Sequence, residues 1–455
     1  MISFDRVNKP SFWYSIVYQY VRFVHKHVYF SDFKVINRRR LPRTGEGYLV
    51  ICNHQNGLCD AIGVLNTVGG GRRPVFIARG DLFKKSNWLA KFIRFFRIMP
   101  AFRVRDDGWG GLGQNEAIFE ESARIIDEGD VVALFPEATH QHGHYLANFK
   151  KGFARIAFKV VEKSNFTKAL KIVPMAHHYS NYFSAREKQT MVVGEPFTFT
   201  ELYDLYREDP NKAIAQLNQK AHDAVQQLML DIQDSDNYDQ YYTLCKMGRV
   251  EYLKRHHLRS TNPSVLEADK AIVAEIDRFK QEKPSEFTDL MEKVKEYIGL
   301  LKKVNLRDWT LRRMLFPAFM GRALAGLLLL PFYLYGLVAN SVPLIITNWI
   351  TGSKMKDRML HASVRFAICI FVLPVWYLIL FVAAWICLPK FWMALLFAVS
   401  LYPTLLAFLR GLTFYPKLWH RLRASWMKFR RNPDLLRACD VRRDILQVMD
   451  RELIK

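Results

Sequence analysis

Between residues 48 and 193 short, mostly apolar runs recur: 48–52, 74–78, 130–135, 171–175 and 190–193. Runs of this length, bounded by Gly, Pro, Asn or Asp, predict buried strands. Between them apolar positions return at helical spacing. Residues 114–128 place Ala117, Ile118 and Ile125 on that period and run into Gly129, which predicts a helix closed by a glycine cap. Strand and helix alternation over this length predicts an α/β domain, a mixed or mostly parallel sheet flanked by helices, whose ligands gather beyond the carboxyl ends of the strands. Residues 200–312 change character. They are charged and helix-forming, interrupted at Pro210, Pro263 and Pro284, and predict at least three amphipathic helices. Three uncharged apolar runs follow, 323–346, 366–388 and 391–409, each near the roughly 20 residues that cross a hydrocarbon layer as a helix. The expectation is an integral membrane protein with C-terminal transmembrane helices.

The chain has 455 residues, half of them apolar, and a formal charge of +23, which excludes a disordered chain. The excess is placed rather than spread. Residues 1–45 contribute +7, residues 72–105 contribute +9 and residues 410–455 contribute +7, so the rest is neutral in total. Charge on this scale points to nucleic acid, anionic lipid or phosphorylated substrates. The apolar runs favour the last two. Basic residues flank the first run (Arg312, Arg313, Arg322), fill the next loop (Lys354, Lys356, Arg358, Arg365) and crowd the tail, whereas the Pro389-Lys390 turn is nearly bare. By the positive-inside rule the second and third runs predict a tight hairpin with both ends in the cytoplasm. The first run is then expected to be a re-entrant or in-plane hairpin broken near Pro331 and Pro343, the alternative being three ordinary spans.

Residues 11–30 mix Trp13, Tyr14, Tyr18, Tyr20, Phe23 and Tyr29 with Arg22, His25, Lys26 and His27. That predicts an interfacial amphipathic helix rather than a signal peptide, the alternative being a helix packed on the soluble domain. Six scattered cysteines (52, 59, 245, 369, 387, 439) show no paired spacing, which points to a reducing cytoplasm for the soluble part.

The chemistry concentrates at strand ends. The first strand runs into Asn53-His54-Gln55-Asn56-Gly57-Leu58-Cys59-Asp60. A histidine there, followed by a turn and an aspartate, lets the carboxylate take one imidazole nitrogen and the other face a substrate, as in a catalytic triad without its serine. Past the second strand, Arg97 to Arg105 contains Pro100, with Arg103 and Arg105 on one side if the stretch is extended. Arginine forks suit bidentate phosphate binding. The third strand runs into Phe135-Pro136-Glu137-Ala138-Thr139-His140, the next ends in Val173-Pro174, and Gly194-Glu195-Pro196 follows another.

In order and content these blocks resemble the glycerolipid acyltransferase family, the membrane enzymes that acylate glycerol 3-phosphate or 1-acylglycerol 3-phosphate. The family pattern is Asn-His-x4-Asp, a Pro-x-x-Arg-like block, Phe-Pro-Glu-Gly-Thr-Arg and a Val-Pro block, and the resemblance covers roughly residues 30–200. It implies His54 as catalytic base, Asp60 as its orienting carboxylate, Arg103, with Arg105, on the acceptor phosphate, and Glu137 with Thr139 in acceptor binding and site architecture. Five residues rather than four separate His54 from Asp60, a variant that resembles a yeast-type branch acting on glycerol 3-phosphate and dihydroxyacetone phosphate. Ala138 stands for the usual Gly and His140 for the usual Arg.

The implied reaction moves a fatty acyl group from acyl-CoA or acyl carrier protein, as co-substrate, to a hydroxyl of the phosphorylated glycerol acceptor, with no further cofactor. No Gly-x-Ser-x-Gly elbow occurs, so no acyl-serine is expected. His140, His142 and His144 alternate and could share a metal in an extended segment, but the family needs none and no metal is expected. The tail with Trp419 and Trp426 reads as a contact for membrane lipids rather than nucleic acid. The basic 72–105 stretch reads as a substrate mouth around the phosphate block. The chain then divides into an interfacial helix (1–30), the acyltransferase domain (31–200), a helical connector (201–312), membrane segments (315–409) and a basic cytoplasmic tail (410–455). The catalytic domain is expected on the cytoplasmic side. Two alternatives remain: another lysolipid or an amino-acid lipid as acceptor, and a non-catalytic membrane scaffold with the same fold.

Overall fold

The computed structural model describes residues 7–9, 11–69, 71–79, 86–101, 104–138, 143–182, 185–312, 316–355 and 360–454. The chain divides into two compact units, residues 1–231 with 357–366, and residues 232–356 with 367–455.

The first unit is built on a seven-stranded sheet: β1 (Asp32–Ile36), β2 (Tyr48–Cys52), β3 (Val75–Arg79), β4 (Ile98–Ala101), β5 (Val131–Leu134), β6 (Lys171–Tyr179) and β7 (Lys188–Val193). Its order is β1-β7-β6-β2-β5-β3-β4. Among the named strands only the β6–β7 pair is antiparallel, so the sheet is mixed and mostly parallel, as the sequence pattern predicts. β2 lies at the centre between β6 and β5, and all five of its residues are buried. A strand covered on both faces needs apolar residues at every position, which is why it reads as one unbroken run.

The two faces can be followed along β2. Leu49 and Ile51 enter one core with the Val104–Asp127, Gly152–Lys163 and Pro210–Gln226 helices. Tyr48, Val50 and Cys52 enter the other with the Leu58–Val68 helix and with Tyr14 and Tyr18 of the Phe12–Phe23 helix. The strand's period of two sets this division. Gly129, at φ +82, follows the Val104–Asp127 helix in the left-handed conformation expected of its cap.

Two strands escape the apolar pattern, β1 and β4, and both are edges. β1 carries Asp32 and Lys34 in five residues, and β4 is four residues with Pro100 in the middle. An edge strand is solvated on one side and tolerates both charge and a missing N–H donor. The N-terminal helix packs one face on the soluble unit and leaves another uncovered. Tyr14, Tyr18 and Val21 are buried, while Phe12 (73% exposed), Trp13 (68%), Ile16 and Phe23 are uncovered.

In the second unit Pro263 and Pro284 fall in the first turns of the Asn262–Glu282 and Pro284–Lys303 helices, where a missing N–H costs nothing. Three helices are long and apolar enough to cross a membrane, Pro317–Ala339, Leu360–Cys387 and Phe391–Phe429. Their outward residues, such as Leu327, Val338, Ile386 and Val399, are extensively exposed, as lipid-facing positions are. The first apolar run breaks near Pro343, as expected, but not near Pro331. The Phe316–Ala339 helix continues through Pro331 and is interrupted at Asn340, after which Ser341–Trp349 carries Pro343 in its first turn. A proline removes one main-chain bond, a loss that apolar helices absorb through their neighbours. The third run is also longer than its apolar part: the helix persists past Arg410 to Phe429. Charge there marks a change of surroundings and not the end of a helix.

Candidate active site

Cys52 ends β2, and the chain leaves the carboxyl edge of the sheet as Asn53 and His54. Asn53 anchors the departure by a reciprocal pair with the neighbouring strand: its Oδ1 accepts from His177 N at 2.7 Å and its Nδ2 donates to His177 O at 3.3 Å. Gly57, at φ +46, turns the chain into the Leu58–Val68 helix, whose first turn carries Asp60. A side chain at Gly57 would be strained in that conformation.

Asp60 is fully buried and collects four donors. Oδ2 accepts from His54 Nδ1 (2.9 Å), Gln55 N (2.8 Å) and Asn56 N (2.7 Å), and Oδ1 accepts from the Tyr179 hydroxyl (2.5 Å). Burial pushes this carboxyl up, but His177, the hydrogen bond and charge of His54, and Tyr179 outweigh it and hold Asp60 well below the usual carboxylate range. Asp60 is therefore an anion at neutral pH. The His54 Nδ1 contact to an anion fixes the proton on Nδ1 and makes Nε2 the nitrogen available for proton exchange. The His54 ring stacks on Phe135 at 4.4 Å, and its side chain is 17% exposed.

Glu137 holds the same loop from the other side. It is 1% exposed, with Oε1 accepting from His54 N at 2.6 Å and Oε2 from Ala147 N at 3.0 Å. The carboxylate thus ties the β2 and β5 loops together. Ala138, where the resembling family has glycine, sits at φ +62, a left-handed conformation that costs a residue with a Cβ about 1 kcal/mol.

A second layer of polar groups lies behind Asp60, and the sequence pattern does not reveal it. Gln189 Nε2 donates to the Tyr179 hydroxyl (2.9 Å) and lies 3.1 Å from His177 Nδ1. His177 Nε2 stands 3.8 Å from Asp60 Oδ1, beyond hydrogen-bond distance. Burial pushes His177 down to about 4 against the pull of Asp60, so it is neutral at neutral pH. The Tyr182 hydroxyl meets Gln55 Oε1 (3.0 Å) and His144 Nδ1 (2.6 Å), joining the His54 loop to the 143–147 stretch. Tyr179 belongs to a strand four residues longer than its apolar run, and it lies 119 positions from the carboxylate it contacts. No local spacing signals such a contact.

The structure therefore brings His54, Asp60 and Glu137 together. Arg103 and Thr139 lie outside the described residues, as do His140 and His142. Val104 and Arg105 stand at the start of a helix, so strand alternation does not reach them, and Arg105's side chain is not described. β4 ends at Ala101, and its parallel pairing through β3 and β5 puts that end on the same sheet edge as Cys52. The reading of 72–105 as one substrate mouth needs correction. Arg72, Arg73 and Arg97 precede β3 and β4 and so belong to the opposite edge. Arg72 lies over Tyr48, Arg73 over Tyr14 and Tyr18, and Arg97 is 3% exposed and donates to the carbonyls of Val7 and Asn8. Arg73 and Arg97 fasten the N-terminal segment, and Arg72 covers Tyr48 at the start of β2. Among the described residues no three side chains are grouped to hold a metal ion.

The span from β1 to the penultimate residue of β6 is similar to a known family: residues 32–178 match the Acyltransferase family. More particularly, the chain is 28% identical over 142 residues to a Mycoplasma pneumoniae protein named "Probable 1-acyl-sn-glycerol-3-phosphate acyltransferase". The alignment covers 30% of this chain and 49% of the relative, so the chain spans about half the length of the curated relative it matches.

Proposed function

We propose that the protein is a membrane O-acyltransferase of phospholipid biosynthesis, moving a fatty acyl group from acyl-CoA or acyl carrier protein to a hydroxyl of glycerol 3-phosphate or 1-acylglycerol 3-phosphate. The observation that carries this reading is the buried Asp60 anion on His54 Nδ1, at the carboxyl edge of the sheet in a segment that matches the Acyltransferase family. His54 Nε2 takes the proton of the acceptor hydroxyl as its oxygen attacks the thioester carbonyl. The carbonyl re-forms as the carbon–sulfur bond breaks, and the imidazolium returns the proton to the departing thiolate. Asp60 stabilises the imidazolium while it exists. Arg103, with Arg105, holds the acceptor phosphate, and Glu137 with Thr139 shapes the acceptor side.

Membranes containing the protein, given labelled acyl donor and each acceptor in turn, test the reading. Labelling of glycerol 3-phosphate or its 1-acyl form supports it, and transfer only to another lysolipid or an amino-acid lipid replaces the acceptor. Transfer to none of them favours a scaffold. Arg103→Ala is expected to raise KM for the phosphorylated acceptor about 10- to 100-fold with a smaller effect on kcat, since a hydrogen bond to a charged group contributes on the order of 1.5–3 kcal/mol. An unchanged acceptor KM would remove Arg103 from the phosphate site.

The three long apolar helices support residence in a membrane, and the exposed Phe12, Trp13, Ile16 and Phe23 face supports contact of the N-terminal helix with its surface. We place the catalytic unit on the cytoplasmic side. Ser353, exposed before the Leu360–Cys387 helix, reports on this. In sealed, cytoplasm-inside vesicles a Ser353→Cys protein is expected to react there with an impermeant thiol reagent only after permeabilisation. Reaction at that position from outside would invert the topology.

A further inference from the structure

The Leu58–Val68 helix, which carries Asp60, begins without a cap of its own. Its N-cap residue is Gly57, which has no side chain to accept the first N–H groups. Cys59 N and Asp60 N turn back onto the carbonyls of Asn56 (3.0 Å) and Gly57 (3.2 Å). Leu58 N finds its acceptor about 300 residues away: Ser363 Oγ lies 3.0 Å from it and donates in turn to Asn56 O at 3.2 Å. One hydroxyl thus closes the turn from both sides. Asn56 is the residue whose N–H donates to Asp60 Oδ2 at 2.7 Å, so the peptide that Ser363 pins directly follows one that forms the Asp60 cradle.

Ser363 is itself held. It lies in the first turn of the Leu360–Cys387 helix, and residues 357–366 group with the catalytic unit. The Tyr29 hydroxyl donates to Ala362 O at 2.8 Å within a buried environment. Phe366 is fully buried, its ring 5.1 Å from Tyr29 and 5.7 Å from His25. A serine fixed by neighbours on both sides presents its hydroxyl without paying rotamer freedom at each turnover.

We propose that Ser363 is a positioning residue for the acyl transfer, a cap supplied from the start of an apolar helix that sets the His54–Asp60 turn. The kinetic part rests on the proposed acyltransferase reading, and the structural part does not. In full-length purified protein, Ser363→Ala and Ser363→Val are expected to lower kcat about tenfold with KM for both substrates little changed. Ser363→Thr, which keeps the hydroxyl, is expected to stay within about threefold of wild type. Amide hydrogen exchange of peptides covering residues 55–60 is expected to accelerate in the Ala and Val proteins and not in the Thr protein. Unchanged exchange in Ser363→Ala, or equal losses in Thr and Val, overturns the proposal. If wild-type protein transfers no acyl group, the acyltransferase reading falls while the exchange result still decides whether the cap holds the turn.

Discussion

Purified protein carrying His54→Ala is expected to transfer acyl groups about a thousandfold more slowly than wild type, within the range general-base catalysis contributes. The fold should survive the change. The His54 main-chain N–H to Glu137 is untouched, and Asp60 keeps Gln55 N, Asn56 N and the Tyr179 hydroxyl. What is lost besides the base is one ring stacked on Phe135, worth about 1 kcal/mol, and the Nδ1 hydrogen bond to the Asp60 carboxylate, worth on the order of 1.5–3 kcal/mol. Thermal melting should therefore move by several degrees while kcat collapses. That separation gives the measurement its force. A scaffold with the same fold would show the small shift in melting and no transfer to lose, and a wild-type rate in the variant would remove His54 from the chemistry.

The central sheet and the His54 turn were legible because each depends on local chemistry. A strand buried on both faces must be apolar throughout, so β2 can be read from Tyr48 to Cys52, and a histidine just beyond it stands at the carboxyl edge whatever else the chain does. The edge strands were not legible, since Asp32, Lys34 and Pro100 mask the pattern where one side is solvated. The summed charge of 72–105 misled for a different reason. A net charge says nothing about which end of a strand it occupies, and Arg72, Arg73 and Arg97 precede their strands whereas the His54 turn follows its own. Tyr179 and Ser363 were out of reach because their partners lie in distant segments. Tyr179 meets Asp60 only once β6 is laid beside β2, and Ser363 meets Leu58 only once the start of the apolar helix is docked on Tyr29 and His25. In each case the residue types carry no sign of the contact, and only register and topology create it.

Asp60→Asn should separate the charge of this site from its shape. The amide has one acceptor and one donor where the carboxylate has two acceptors, so its orientation is forced. With its oxygen toward the turn it still accepts from His54 Nδ1, Gln55 N and Asn56 N, and its NH2 faces the Tyr179 hydroxyl, which already receives Gln189 Nε2. The reverse orientation would aim NH2 at three donors. The favoured arrangement keeps the turn, and the His54 tautomer with it, but removes the anion that stabilises the imidazolium when His54 takes the acceptor's proton. Turnover is expected to fall on the order of a hundredfold or more, because general-base catalysis contributes on the order of 100- to 10,000-fold and His54 loses the anion that supports its imidazolium, with the acceptor KM little changed. Stability should fall by a few kcal/mol at most, because charge-assisted hydrogen bonds become neutral ones without any donor to the turn being orphaned. A variant that kept more than a tenth of the wild-type kcat would mean that Asp60 acts through the shape of the turn alone, and that the proton on His54 is stabilised by some other group.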